Sequence, residues 1–220
     1  MPAMFGRPAT VWPCDPCVAR QEVLERQEAA KRAQHDFEVR LRNIPTDLRR
    51  FTFADSPAPE AAITAAQMWA RGEIQQLLLC GPVGTGKTGL AASAVRERCE
   101  RGATTWVSVP RMLANLTASF GDEDRAEALS AMTGHGAIVL DDLDKMRAGP
   151  TAAASIFAAI DGRIQSGAQI LVTANKTPAQ IASTIGDEFG MAIGDRLRAF
   201  TAIEVGGPSQ RKAQRIGDTA

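Results

Sequence analysis

The residues best suited to chemistry lie in one stretch, Gly81-Pro82-Val83-Gly84-Thr85-Gly86-Lys87-Thr88, directly behind the apolar run Leu77-Leu78-Leu79-Cys80. The spacing is that of a phosphate-binding loop, in which glycines let backbone N–H groups approach phosphate oxygens. A helix is expected to start at Lys87 or Thr88, so its positive end would face the same phosphates. Lys87 is the residue to reach the terminal phosphates, and the Thr88 hydroxyl is a candidate Mg²⁺ ligand. The flanks agree, with an apolar strand before the loop and a helical pattern (Leu90, Ala91, Ala94, Val95) after it. The chain therefore reads as a nucleotide-binding protein.

A second motif stands some fifty residues on. Ala137-Ile138-Val139-Leu140 is a fully apolar strand that ends in Asp141-Asp142. Asp141 is placed to hold Mg²⁺ beside the phosphate loop, and Asp142 to polarise an attacking water. A third strand, Gln169 to Thr173, runs into Ala174-Asn175, a polar tip able to orient water near the second acid. Cys14-x-x-Cys17 is half of a zinc site, but zinc needs four ligands, and Cys80, Cys99 and His35 are no obvious completion. A bare turn is the alternative there. His135, in Gly134-His135-Gly136, reads as a solvated loop residue.

These groups need a scaffold. Short apolar strands alternating with amphipathic helices point to an α/β core with a parallel sheet and right-handed crossovers. Expected elements are helices over 60–71, 88–101, 122–132 and 151–166, another opened by Pro110, and strands at 104–109, 137–142, 169–173 and 203–205. Ahead of the core, residues 18–42 contain no Gly or Pro and are rich in Glu, Gln, Arg, Lys and Ala, which predicts one long helix. Val23, Ala30, Phe37 and Ile44 fall seven apart along it, with Leu41 beside them. The stripe suits either a helix packed on its own core or an arm that docks on a partner or a second copy. Asn43-Ile44-Pro45 ends the helix. The resulting division is an N-terminal helical arm over 1–42, a linker over 43–59, a nucleotide-binding core over 60–215 and a tail over 216–220.

Composition narrows the function classes. Hydrophobic residues make up 45% and charged residues 23%, as in ordinary globular proteins. Lysines plus arginines equal aspartates plus glutamates at 25 each, so any nucleic-acid contact must use a local patch. Scattered candidates for such a patch are Arg111, Lys145, Arg147 and Lys176. No apolar run is long enough to span a membrane, and the N-terminus lacks the pattern of a secretory signal. A cytoplasmic protein with reduced thiols is the expectation.

Residues 44 to 212 resemble the AAA+ ATPase core of the DnaC/DnaI-type helicase loaders and of their relative, the IstB-type transposition helper. The carriers are Ile44-Pro45, Phe51 and Phe53, Gly81 to Thr88 with Leu90-Ala91, Leu140-Asp141-Asp142-Leu143, Thr173 to Asn175, Asp195-Arg196-Leu197, and Ser209-x-Arg211. The resemblance implies a five-stranded parallel sheet flanked by helices. It implies ATP and Mg²⁺ held by Lys87, Thr88 and Asp141, with Asp142 as the catalytic carboxylate. Asn175 corresponds to the sensor-1 position, and Arg196 to the arginine that enters a neighbouring subunit's site in trans. Arg198 and Arg163 are rivals for that role. Arg211 matches the sensor-2 arginine, which touches nucleotide phosphates in its own subunit.

Two departures from the family pattern stand out. Many AAA+ proteins carry Glu after the first acid where this chain has Asp142, which suggests slow turnover. The sequence also ends nine residues after Arg211, which leaves no room for the usual C-terminal helical lid. By resemblance the expected activity is ATP-dependent loading of a hexameric replicative helicase onto single-stranded DNA. Residues 1–42 would bind the helicase, and the subunits would associate into a ring or spiral. The alternatives are a transposition helper acting on duplex DNA with a transposase, and a P-loop kinase for a small molecule.

Overall fold

The computed structural model describes residues 15–118, 132, 136–146 and 150–210. The expected helix over 122–132, His135, Arg147, Cys14 and Arg211 lie wholly or largely outside that set. The chain divides into two compact units, Met1–Val39 and Arg40–Ala220.

The first unit is built on helix α1, Asp15–Leu41, whose last residues run into the second. Pairs one turn apart line it: Arg26 with Glu22 at 3.9 Å, Arg32 with Glu28 at 3.5 Å, and Gln34 with Glu38 at 2.9 Å. Such exposed pairs add only about 0.2–0.5 kcal/mol each. Val23 and Leu24 are about half exposed. Ile44, which the heptad spacing placed on the same stripe, lies past the helix end and is fully buried in the second unit.

The second unit is a five-stranded, all-parallel sheet with helices on both faces. After α2 (Glu60–Arg71) come β1 (Gln76–Cys80), α3 (Lys87–Arg98), β2 (Thr104–Ser108) and α4 (Val109–Ala118). Then follow β3 (Ala137–Asp141), a 3₁₀ turn at Leu143–Lys145, α5 (Pro150–Gln165) and β4 (Ile170–Ala174). The unit closes with α6 (Pro178–Ile185), α7 (Asp187–Arg198) and β5 (Thr201–Glu204). Strand order is β2-β3-β4-β1-β5.

Both faces of the sheet are covered, and this is why its inner strands read as unbroken apolar runs. Leu78, Ile138, Leu140, Ile170 and Val172 join Ile156, Ile160, Ile193 and Leu197 in the main core. Leu77, Leu79, Val139 and Leu171 alternate with them along the strands and are equally buried, as are Ala62, Ala66 and Trp69 of α2 and Leu90 and Ala94 of α3. Each such leucine or isoleucine removed from water contributes about 1.5–3 kcal/mol.

The last strand begins at Thr201, two residues earlier than the β-branched run at 203–205 suggested. β5 is an edge strand with mostly exposed side chains, so its sequence carries no apolar alternation. The α6 helix is absent from the sequence expectations, yet its start is legible in Thr177-Pro178-Ala179-Gln180. The Thr177 side chain accepts from the Gln180 N–H, and the Gln180 side chain accepts in return from the Thr177 N–H.

Helices α6 and α7 pack through glycine. A Cβ on Gly194 would meet the Ala182 Cβ at 2.7 Å and the Pro178 carbonyl at 3.1 Å. Gly194→Ala is expected to destabilise the protein by about 1–3 kcal/mol. Denaturant unfolding measures it, and an unchanged midpoint would show that the two helices separate freely.

Candidate nucleotide site

Strand β4 lies between β1 and β3, so the phosphate loop after β1 and the acids ending β3 flank the tip of β4. Register sets Thr173 opposite Leu79, and Val172 opposite Leu140. Thr173 therefore sits level with the strand end that carries Asp141. This is the C-terminal edge of a parallel sheet near the point where strand order reverses, where ligands of open α/β sheets bind.

The loop has the backbone its glycines predict: φ is 138° at Gly81, 85° at Gly84 and 93° at Gly86. At Gly81 a Cβ would also stand 2.6 Å from the Val205 carbonyl oxygen, so the position excludes any side chain twice over. Gly86 is the N-cap of α3, and Lys87 opens the helix as expected. Thr85 Oγ1 donates to the Pro82 carbonyl at 3.0 Å and ties the loop across itself. Val83 is 56% exposed at its outer edge. Lys87 is buried, and its Nζ donates to the carbonyls of Gly81 at 2.8 Å and Pro82 at 2.6 Å. Burial lowers its ammonium pKa, while Asp142 and Asp144 pull it back up. A cation held this way against two carbonyls is poised for an anionic ligand.

The acids form a connected group. Thr88 Oγ1 donates to Asp141 Oδ1 at 3.0 Å, and Thr173 Oγ1 donates to the same oxygen at 2.6 Å. The Thr173 hydroxyl accepts in turn from the Asp142 N–H at 2.9 Å. Burial pushes the Asp141 carboxyl up, the Thr173 hydrogen bond draws it partly back, and the neighbouring Asp142 charge raises it again. Asp142 itself is the one described non-glycine residue with positive φ, at 62°. This conformation costs about 1–2 kcal/mol and turns the side chain off the strand axis. Its carboxylate pairs with Lys145 Nζ. Asn175 donates its backbone N–H to Asp144 Oδ1 at 2.7 Å, and its side-chain Nδ2 lies 3.3 and 3.2 Å from the two Asp144 oxygens.

A cavity of about 460 Å³ joins Gly84, Gly86, Lys87 and Thr88 to Asp142, Lys145 and Asn175. Its other wall is the linker, with Arg50, Phe51, Thr52, Ser56 and Pro57. Gln210 also lines it, and the Gln210 N–H donates to the Gly84 carbonyl at 2.8 Å. The donor set beside Lys87, a hydroxyl and a carboxylate joined by a hydrogen bond, consists of hard oxygens and fits Mg²⁺ with a phosphate ligand. Thr88 and Asp141 would hold such an ion.

Other predicted residues lie elsewhere. Arg196 Nε donates to Asp161 Oδ1 at 2.7 Å, and the guanidinium stands 5.9 Å over the Phe157 ring. Arg198 is more exposed and pairs with Asp195 at 3.6 Å. Arg163 is buried and donates to the carbonyls of Met132 at 3.2 Å and Gly136 at 2.6 Å. That position ties down the approach to β3. Arg111 lines a separate concavity of about 670 Å³ with Arg42 and Arg49. Lys176 Nζ donates to Thr184 Oγ1 at 2.6 Å and Lys145 belongs to the nucleotide cavity, so the described candidates Arg111, Lys145 and Lys176 line separate concavities, while Arg147 lies outside the described residues. Among the described residues no group of three or more His, Cys, Asp or Glu side chains is placed to hold a metal ion; Cys14 and the Cys17 side chain lie outside them.

Asp144 and most of the linker wall carry no signal in the sequence and are marked by tertiary proximity alone. Lys145 reads from sequence as a candidate for nucleic-acid contact, and Phe51 and Thr173 read only as carriers of the family resemblance.

With the site in view, comparison with known proteins becomes informative. A family model described as IstB-like ATP binding protein matches residues 17–217. The chain belongs to this family. A similar relative of this IstB-like protein is an ATP-binding protein in an insertion sequence of Mycobacterium tuberculosis. The two are 26% identical over 208 residues, covering 90% of this chain and 82% of the relative. An ATP-binding protein of insertion sequence IS5376 from Geobacillus stearothermophilus is 29% identical over 131 residues. That match covers 59% of the chain and 52% of the relative, so the chain spans about half of that protein.

Among solved structures, DnaI matches with a TM-score of 0.65 at 24% identity, covering 76% of this chain and 94% of DnaI. The DnaC helicase loader matches with a TM-score of 0.57 at 15% identity. These likenesses show the fold, the AAA+ P-loop core. Family and fold together make the IstB-like protein a P-loop ATPase. Among its described residues no helix is long and apolar enough to cross a membrane.

Proposed function

We propose that this chain is an ATP-switched helper that assembles on duplex DNA and acts with a transposase. The observation that carries this reading is the family match over 17–217, which takes in helix α1 as well as the core. The insertion-sequence names of the relatives support it. A second reading, loading of a hexameric replicative helicase onto single-stranded DNA, is favoured by the near-complete coverage of DnaI. In both readings residues 1–42 form the arm that meets the partner, residues 43–59 the linker and 60–215 the ATPase core. The subunits associate into a ring or spiral.

The chemistry is common to the two. Loop N–H groups and Lys87 hold the phosphates of ATP, and the linker wall covers the other end of the nucleotide. Thr88 and Asp141 would hold Mg²⁺, which would supply charge neutralisation for the phosphates. Asp142 orients and deprotonates the attacking water. Thr173 keeps the two acids at a fixed separation, since one hydroxyl serves both. Asn175 completes the water site. Arg196 leaves Asp161 and enters the neighbouring subunit's cavity, where its charge stabilises the transition state. Arg211 touches the nucleotide within its own subunit. Assembly is then favoured by ATP and loosened by hydrolysis.

The test is sedimentation of the full chain with duplex and with single-stranded oligonucleotides, with and without ATP. Expected are ATP-dependent assemblies on duplex DNA. Arg196→Ala should keep ATP binding by the isolated subunit and lose assembly-stimulated turnover by about 10³-fold. Preference for single strands, with a stoichiometric complex with the source organism's replicative helicase, would establish the loader instead. Unchanged turnover in Arg196→Ala would move the trans role to Arg198 or Arg163.

A further inference from the structure

Asp144 contributes nothing to the phosphate cradle directly, yet it is buried at 6% exposure behind the catalytic edge. Among the described residues its hydrogen bonds go to one residue. Oδ1 accepts the Asn175 backbone N–H at 2.7 Å, and the Asn175 amide nitrogen lies 3.3 Å from Oδ1 and 3.2 Å from Oδ2. The chemistry of this contact is one-sided. A carboxylate accepts hydrogen bonds and does not donate them, so only the NH₂ end of the amide can face it. The opposite orientation would set the amide carbonyl against two carboxylate oxygens. The direction of the Asn175 amide is therefore decided by its neighbour. Its Oδ1 is the end turned away from Asp144, on a side chain that lines the cavity with Lys87 and Asp142.

We propose that Asp144 is a positioning residue that locks Asn175 as a hydrogen-bond acceptor, so that Asn175 Oδ1 holds a proton of the attacking water. Nδ2 is thereby withheld from the terminal phosphate. The proposal rests on the hydrolytic reading above. In the step it serves, the water oxygen bonds to the terminal phosphorus and the bridging P–O bond breaks. The electron pair leaves with the diphosphate. One water proton passes to Asp142, while the other O–H stays hydrogen-bonded to Asn175 Oδ1. An acceptor suits a water proton at this point, whereas it would repel a phosphate oxygen.

Exchange of the two residues separates the possibilities. Asp144→Asn alone frees the amide of Asn175 to turn, and should lower kcat by about ten-fold with the KM for ATP within two-fold, because positioning and not binding is lost. Asn175→Asp alone faces one carboxylate with another and should be slower still. In the exchanged pair Asp144→Asn/Asn175→Asp the hydrogen bonds reverse direction. The side chain at 144 still accepts the backbone N–H and now donates to 175, which keeps an acceptor for water. The pair should recover about ten-fold of the rate that Asn175→Asp loses. A pair no faster than Asn175→Asp would overturn the proposal, as would wild-type kcat in Asp144→Asn. Loss of non-hydrolysable ATP-analogue binding or of cooperative melting in Asp144→Asn would also overturn it, by making the contact purely structural. Undiminished turnover in Asp142→Asn would instead remove the hydrolytic reading itself.

Discussion

Replacing Lys87 with alanine is expected to abolish useful ATP binding while leaving the fold intact. The Lys87 ammonium is buried, and among the described residues its hydrogen bonds go to the Gly81 and Pro82 carbonyls, which belong to the loop itself. Phosphate oxygens are stronger partners for that charge. A hydrogen bond to a charged group is worth about 1.5–3 kcal/mol. Two of them, lost together, weaken binding by about 3 kcal/mol or more, a factor of about 10² or greater. The folded state has no comparable loss. The Pro82 carbonyl keeps its bond from Thr85, and a charge that burial disfavours is removed. Titration calorimetry with ATP and a thermal melt of the same variant separate the two effects. Wild-type affinity would disprove the assignment of the cradle; a collapsed melting transition would mean that Lys87 holds the loop together.

The second large effect is expected at Asp141. Asp141→Asn should reduce Mg²⁺-dependent hydrolysis by about 10²–10³-fold, the scale set by removing one preorganised charge-stabilising group. The same change should stabilise the unligated protein. Burial disfavours the Asp141 charge, and Asp142 adds like-charge repulsion. A carboxyl whose folded pKa is raised binds its proton more tightly when folded. Stability then falls as pH climbs from the ordinary aspartate range through the raised value, and stays lowered above it. The amide variant has no charge to lose, while its carbonyl can still accept from Thr88 and Thr173. At neutral pH the variant is expected to melt at a higher temperature than wild type. The difference should vanish in acid. Added Mg²⁺ and ATP should reverse the order, since only the wild-type carboxylate gains a cation. A variant that melts lower than wild type at neutral pH would show that the acid is already compensated without metal.

Much of this protein is determined locally. The loop Gly81 to Thr88 is legible because its chemistry needs contiguous backbone, with Gly81 and Gly86 at positive φ and Lys87 on the first helical turn. The buried strands are legible because a sheet covered on both faces demands unbroken apolar runs, as at Leu77 to Leu79 and Ile138 to Leu140. The edge strand β5 is harder to read because its side chains are mostly exposed, and α6 because eight residues give barely two turns of periodicity.

What the chain does with its polar residues was decided only on folding. Placing β4 between β1 and β3 brings Thr88, Asp141 and Thr173 onto one oxygen although they are 53 and 32 residues apart. Nothing in the local sequence marks Asp144 as the partner of Asn175, or Asp161 as the partner of Arg196. Nor does it show that Arg163 is buried against two carbonyls. Secondary structure follows from periodicity along the chain. The pairing of charges and hydrogen bonds depends on distance in space, which strand order and helix packing set.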